Sequence, residues 1–136
     1  MIKLTYLCAA LILSSISVSS IAKDSSDSAA CKAVISMEMS KSTSIIKTSM
    51  DGPNVYTVSY IRPSDGKLWR TSCRVNGNEV IWSSMDDSGS VGRPRSSYGS
   101  PWNDTQWLVT SDDLKAGKVT VCGNMYGEKT CQTVVR

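Results

Sequence analysis

Hydrophobic and polar residues alternate most regularly between residues 55 and 85. This stretch, VYTVSYIRPSDGKLWRTSCRVNGNEVIWSSM, contains three alternating runs that are separated by the dipeptides Asp65-Gly66 and Asn76-Gly77. Both dipeptides suit two-residue hairpin loops, in which the backbone needs positive φ angles. The pattern therefore predicts a three-stranded antiparallel meander.

The two predicted loops place most large apolar side chains of the meander on one face. The first loop puts Val58 opposite Cys73, and the second puts Cys73 opposite Val80. Side chains of a strand point alternately to its two faces, so these pairings define a single inward face. We expect seven residues to form the core on this face: Tyr56, Val58, Tyr60, Trp69, Cys73, Val80 and Trp82.

A short helix is predicted before the meander. Asp27 or Ser28 can cap its start, and Ala30, Val34 and Met37 form an apolar stripe along it. A short helix of low intrinsic propensity needs tertiary packing to persist. We therefore expect it to dock on the inward face of the meander.

Further strands are predicted on both sides of the meander. A short one at residues 44–47 precedes it, residues 105–110 form another, and residues 118–124 and 128–135 form a final hairpin. Residues 86–104 are rich in Ser, Gly and Pro without periodicity, which predicts an unusually long loop. The predicted fold class is α+β, with an N-terminal helix packed on an antiparallel meander sheet of five or six strands and two disulfides.

The N-terminal segment is predicted to be a secretory signal peptide. Lys3 precedes an uncharged apolar run at residues 4–13, and residues 14–22 are small and polar before a cleavage-site pattern. The apolar run is shorter than the roughly 20 residues that span a bilayer, which argues against a membrane anchor. We expect a signal peptide at residues 1–22 and a single disulfide-bonded α+β domain at residues 23–136, periplasmic or secreted, with no membrane span after cleavage.

Four cysteines remain in the predicted mature chain, Cys31, Cys73, Cys122 and Cys131. An even number in an exported chain indicates two disulfides, for which three connectivities exist. Docking of the helix on the inward face favours Cys31–Cys73, and the final hairpin favours Cys122–Cys131. No pair has C-x-x-C spacing and the chain has no histidine, so we expect no zinc site.

Charge and composition narrow the classes of function. Lys and Arg number 15 and Asp and Glu number 12, which gives a net charge of +3. This near-neutral balance argues against a dedicated nucleic-acid-binding or membrane-surface protein. Histidine, the usual acid/base group at neutral pH and the commonest metal ligand, is absent. We therefore expect no metal and no other cofactor.

The carboxylates offer no defined catalytic pair. Asp86, Asp87 and Asp104 fall in predicted loops, whereas a glycosidase must hold two carboxylates a fixed distance apart. No histidine is present to activate a serine nucleophile. We expect that the protein is not an enzyme. A hydrolase that uses these aspartates is less favoured than a protein-binding or a glycan-binding function.

The loop at residues 93–102 is the first candidate for binding. It combines Arg93 and Arg95 with Tyr98 and Trp102, and arginine and aromatic residues are enriched at interface hot spots. Loops carried by a rigid sheet often hold functional residues. The alternative is an ordinary surface loop with Trp102 packed against the domain.

The outward face of the meander is the second candidate. It carries Arg70 and Arg74, which can grip an anionic partner or form a solvated face with cross-strand pairs, for instance to Glu79. Arg62 is expected to stack on Trp69 as a structural cation–π pair at the mouth of the first hairpin.

The meander also resembles part of a known group of proteins. Residues 62–73, RPSDGKLWRTSC, and residues 77–82, GNEVIW, are similar to an R-P-x-D-G-x-x-W-x-x-x-C…V-I-W core. This core belongs to small exported proteins of Gram-negative bacteria, of unassigned function. The resemblance implies a periplasmic or secreted bacterial protein with an antiparallel sheet, and it carries over no site residues.

Together these observations predict a non-catalytic binding protein that acts through protein–protein contact in the envelope or outside the cell. It would be an inhibitor, an immunity factor or an accessory subunit of an envelope or secreted assembly. An inhibitor of a cationic lysozyme is not favoured, because such an inhibitor should be acidic. The alternative is a glycan-binding module that uses Tyr98, Trp102 and Trp107 as stacking platforms.

Overall fold

The computed structural model describes residues 18–95 and 104–136. Within them, one long helix packs on seven strands that pair in chain order as a single antiparallel sheet. The helix, the antiparallel sheet and the two disulfides are confirmed, whereas the predicted count of five or six strands was wrong. The elements are α1 Val18–Met39, a 3-10 helix Thr43–Ile45, β1 Lys47–Met50, β2 Tyr56–Ile61, β3 Leu68–Asn76, β4 Glu79–Met85, β5 Trp107–Asp113, β6 Lys118–Met125 and β7 Glu128–Val135.

Helix α1 lies against the sheet and contacts all seven strands. The predicted stripe of Ala30, Val34 and Met37 is buried, which confirms this face of the helix. Ala33 and Ile35 lie outside that stripe and are buried too, because the curled sheet covers the helix on more than one side.

The helix includes residues 18–39 of the described chain, so Asp27 and Ser28 lie inside it and do not cap its start as predicted. No glycine or proline interrupts the sequence between Val18 and Met39. Ser28 instead connects the helix to β1, since its Oγ lies 2.6 Å from Oγ1 of Thr48. Cleavage of a signal peptide after residue 22 stays a prediction.

The first hairpin of the meander has a longer loop than predicted. The N–H of Arg62 donates to Lys67 O at 2.8 Å, so residues 63–66 form the loop, and Val58 pairs with Thr71 instead of Cys73. Pro63 favours a turn that starts at this position, and Gly66 adopts a φ of 69°. The register therefore moves by two residues, which leaves every side chain on its predicted face.

The second hairpin shifts in the same way. Its loop consists of Gly77 and Asn78, with Gly77 at a φ of 63°, and Cys73 pairs with Trp82. Glycine suits the first central position of a type II′ turn, and here this preference prevails over the Asn-Gly turn that the sequence suggested.

The inward face of the meander forms the core with α1. Six of the seven residues predicted for this core are buried. Trp69 is the exception at 38% exposed, because it lies one residue after the start of β3, next to the loop of the first hairpin.

The last hairpin and both disulfides follow the predictions. Tyr126 and Gly127 form the two-residue loop with φ angles of 53° and 81°, and Cys122 lies directly opposite Cys131. The Cys122–Cys131 bond joins β6 to β7, and the Cys31–Cys73 bond joins α1 to β3.

Candidate binding surface

Exposed apolar side chains cluster on the face of the meander that is turned away from α1, which we call the outer face. Ile61 and Leu68 pair directly across β2 and β3 and are 61% and 52% exposed. Val91 is also exposed and pairs with Met85, a half-buried residue at the end of β4 that lines one cleft with Leu68. We call these four residues the outer patch. Contiguous exposed apolar groups of this kind mark contact sites on soluble proteins.

A cross-strand row connects the outer patch to cationic side chains. Lys47 lies opposite Ser59, Ser59 opposite Arg70, and Arg70 opposite Met85. Directly opposed residues have Cβ atoms roughly 5 Å apart, so the whole row shares the outer face. Arg70 therefore borders the outer patch, and Lys47 extends the border to the edge strand.

Arg70 also holds the loop that follows β4. Its Nη2 donates to the backbone oxygens of Asp86 and Asp87 at 3.1 and 3.2 Å. Asp86 Oδ1 accepts hydrogen bonds from Ser88 Oγ at 2.6 Å and from the N–H groups of Ser88 and Ser90, both at 2.9 Å. These bonds, led by the one from the Ser88 hydroxyl, lower the pKa of Asp86. The predicted binding residue Arg70 thus has a structural role as well.

The segment after this loop lies along β4 and encloses a groove beside Arg74. The N–H of Gly92 donates to Ser84 O at 2.8 Å, and the N–H of Arg95 donates to Trp82 O at 2.7 Å. A Cβ at position 92 would lie 3.3 Å from Ser84 O, which favours glycine at this close approach. The groove has a volume of about 250 Å³ and is lined chiefly by Ser72, Arg74, Ile81, Ser83, Val91 and Pro94.

The loop end of the first hairpin carries the predicted cation–π pair. The guanidinium carbon of Arg62 lies 5.0 Å from the centre of the Trp69 ring. Arg62 also forms a two-pronged salt bridge with Asp65, which accepts a further hydrogen bond from the N–H of Lys67 at 3.1 Å. These bonds, Arg62 first, lower the pKa of Asp65 to about 2.

Arg93 and Arg95 converge on one carboxylate. Nη1 of Arg93 lies 2.5 Å from Oδ2 of Asp104, and Nη1 of Arg95 lies 3.8 Å from Oδ1. The hydrogen bond with Asp104 raises the pKa of Arg93. Arg95 also stacks on Trp82, with its guanidinium carbon 4.6 Å from the ring centre. The two predicted binding arginines thus tie residues 93–95 to Asp104, and Arg95 also contacts the domain at Trp82.

Three aromatic residues were predicted as platforms on which a glycan could stack. Tyr98 and Trp102 lie outside the described residues, so their roles stay predictions. Trp107 is fully buried, and its Nε1 donates to Glu38 Oε1 at 2.8 Å. A ring in this position cannot stack on a ligand, so Trp107 was wrongly included among the platforms.

The outer patch was not predicted from the sequence, although a signal was present. Ile61 and Leu68 occupy outward positions in the predicted alternation, where polar residues are expected. Val91 gave no signal, since nothing in the sequence relates it to Met85.

The described residues contain neither a candidate metal cluster nor a membrane-spanning helix. Within the described ranges, no three His, Cys, Asp or Glu side chains are grouped so that they could hold a metal ion. In the same residues, no helix is both long and apolar enough to cross a bilayer.

The fold and this surface define a disulfide-bonded domain in which one helix packs on a seven-stranded antiparallel sheet. Comparison of the chain with family models, curated proteins and solved structures gives no match. The resemblance to small exported Gram-negative proteins therefore stays a prediction.

Proposed function

We propose that this protein is a non-catalytic binding protein of the periplasm or the cell exterior, which acts by protein–protein contact through the outer patch. One observation carries the proposal: Ile61 and Leu68 are paired on adjacent strands, and each residue is more than half exposed. An inhibitor, an immunity factor or an accessory subunit of an envelope or secreted assembly would use such a surface.

The scaffold behind the outer patch supports this proposal. The patch lies on the meander, and the disulfide of Cys73 anchors β3 to α1 on the opposite face. A surface that is ordered before binding loses little conformational entropy when the partner docks. The two disulfides also suit an oxidising compartment outside the cytoplasm.

The charges around the patch favour a partner with an apolar centre and a carboxylate rim. Lys47 and Arg74 project from the outer face and form no salt bridge among the described residues. Asp86 and Asp87 lie at one corner, where backbone oxygens of their loop accept from Arg70. Rim cations of this kind steer association with an acidic partner and make its rate depend on salt.

One observation favours a glycan-binding module as the second candidate. Tyr126 is 95% exposed at the tip of the last hairpin, beside a cleft of about 500 Å³. Glu38, Asp104 and Asn124 also line this cleft and supply polar groups for hydroxyl ligands. An exposed ring beside such groups offers an apolar platform with a polar surround.

A capture experiment with matched variants tests the protein-binding proposal. The oxidised protein is immobilised and exposed to envelope and culture-supernatant fractions, beside a glycan array. The double variant Ile61→Gln, Leu68→Gln should lose at least about 10-fold in affinity for a stoichiometric protein partner, since truncated interface anchors commonly cost this much. The control Leu114→Gln, Val135→Gln changes two equally exposed apolar residues elsewhere and should bind like the unmodified protein.

Two outcomes would contradict the proposal. Equal capture by both double variants would show that the outer patch is not the contact. An empty capture together with a glycan signal that Tyr126→Ala or Trp102→Ala removes would favour the second candidate.

A further inference from the structure

The two disulfides differ sharply in their access to solvent. Cys31 and Cys73 are 0% and 1% exposed between α1 and β3. Cys131 is exposed and Cys122 is half-buried, on the side of β6 and β7 opposite the buried Val121 and Val134. A thiol in solution can therefore reach the second disulfide while the domain stays folded.

A β-bulge places a hydroxyl group at this exposed disulfide. The pairing of β5 with β6 shifts between Val109 and Ser111, so Thr110 is the extra residue. Its hydroxyl donates to Thr120 O at 3.4 Å, and its Oγ1 lies 3.5 Å from Sγ of Cys122, to which the same proton can turn by rotation of the hydroxyl. Bulges commonly re-aim a side chain, and this one directs a hydrogen-bond donor at a sulfur atom.

The surroundings of the disulfide also suit attack by a thiolate. A groove of about 500 Å³ runs beside it, and Thr110, Cys122 and Lys129 contribute to its lining. Lys129 precedes Cys131 by two residues on β7, so both side chains share one face at roughly 7 Å. A nearby ammonium group stabilises the thiolate of an approaching reductant. It also stabilises the cysteine thiolates that form when the disulfide is reduced.

We propose that Cys122–Cys131 is a thiol-exchange site, which a dithiol reductant opens in the folded protein while Cys31–Cys73 stays intact. The inference does not depend on the proposed binding function. The reactive site lies in the last hairpin, and the reductant that opens it is a dithiol.

The exchange proceeds in two displacements. A thiolate of the dithiol attacks Sγ of Cys131, the more exposed of the two cysteines, and forms a mixed disulfide while the bond to Cys122 breaks. The electron pair leaves on Sγ of Cys122, to which the Thr110 hydroxyl can donate. The second thiolate of the reductant then attacks the reductant's own sulfur in the mixed disulfide and releases Cys131. Two electrons pass to the protein, the reductant becomes a disulfide, and the two protons it loses balance those taken up by the cysteines.

Native-state reduction followed by mass mapping tests the proposal. Thiols already present in the oxidised full chain, including Cys8, are first blocked by alkylation, and dithiothreitol is then added without denaturant. New thiols are trapped with a second, heavier alkylating reagent at successive times. We expect Cys122 and Cys131 to be labelled about 1,000-fold faster than Cys31 and Cys73, because the buried pair reacts only when the domain opens.

Equal labelling rates for the two pairs, or faster labelling of Cys31 and Cys73, would overturn the proposal. So would a Cys122–Cys131 bond that resists dithiothreitol until denaturant is added.

A matched pair of variants tests the role of the bulge. Thr110→Val removes the hydroxyl at the leaving sulfur and should slow labelling of Cys122 and Cys131 by about 3- to 10-fold, because the rate depends on stabilisation of the leaving thiolate. Thr133→Val removes an exposed hydroxyl of β7 whose recorded partner is Thr120, and should leave the rate unchanged. Equal rates for the two variants would contradict the assignment of Thr110.

Discussion

At the scale of single residues, Arg62 interacts with two side chains at once. Its guanidinium stacks on Trp69 and binds both carboxylate oxygens of Asp65. Asp65 also accepts the N–H of Lys67, so one carboxylate organises the loop of the first hairpin and positions the stacked cation. The ionisation of Asp65 should therefore control this corner of the molecule.

The pH dependence of this corner follows from the lowered pKa of Asp65. The folded value of about 2 lies below the unfolded value of about 3.9, so the carboxylate stabilises the fold above that unfolded value. This contribution is lost as the pH falls through about 2. A carboxyl NMR titration should give a midpoint near 2 for Asp65, and Trp69 fluorescence should change over the same range.

Two variants check the cause of this shift. Arg62→Gln should raise the midpoint of Asp65 toward 3.9, since the largest cause of its shift is the hydrogen bond with Arg62. Arg136→Gln, whose recorded partners are Ser26, Asp112 and Leu114, should leave it unchanged. A midpoint near 3.9 in the unmodified protein would contradict the account.

At the scale of elements, alternation was sufficient to predict faces but not registers. Both meander hairpins moved by two residues, which preserved the faces and hence the pairing of Cys31 with Cys73. The positions of the turns were predicted wrongly. The dipeptides Asp65-Gly66 and Asn76-Gly77 suggested two-residue loops, whereas Pro63 favours a loop that starts at residue 63 and Gly77 favours the loop of Gly77 and Asn78. The short strand predicted at residues 44–47 was placed too early, because residues 43–45 form a 3-10 helix and β1 at residues 47–50 has no apolar alternation.

The two disulfides should contribute unequally to stability. The bonded cysteines are 42 residues apart in Cys31–Cys73 and 9 residues apart in Cys122–Cys131. On the loop-entropy model, replacing each pair with alanines should lower the free energy of unfolding by about 4 and about 2.5 kcal/mol respectively. Removal of Cys31–Cys73 should cost more still, because both sulfurs are buried.

Urea denaturation of the two double variants and the unmodified protein measures this difference. Circular dichroism of each variant before denaturation provides the control for folding. A larger loss for Cys122→Ala, Cys131→Ala than for Cys31→Ala, Cys73→Ala would contradict the placement of the first disulfide in the core.

At the scale of the whole molecule, the candidate surface was only partly visible in the sequence. Alternation indicated that Arg70 and Arg74 point outward, and they do lie on the outer face. The convergence of Arg93 and Arg95 on Asp104 depends on where the chain returns to the sheet, which no periodicity encodes. The outer patch likewise could not be predicted without knowing that α1 covers the opposite face of the meander.

Site-specific photocrosslinking tests the proposed contact surface most directly. A photoreactive residue is placed at position 68 in the outer patch, or at position 114 as the control, and each oxidised protein is irradiated with envelope and supernatant fractions. We predict one dominant protein adduct from position 68 that is absent from position 114 and is suppressed by excess unlabelled protein. An adduct from position 114 alone, equal adducts from both positions, or no adduct from position 68 would contradict binding through the outer patch.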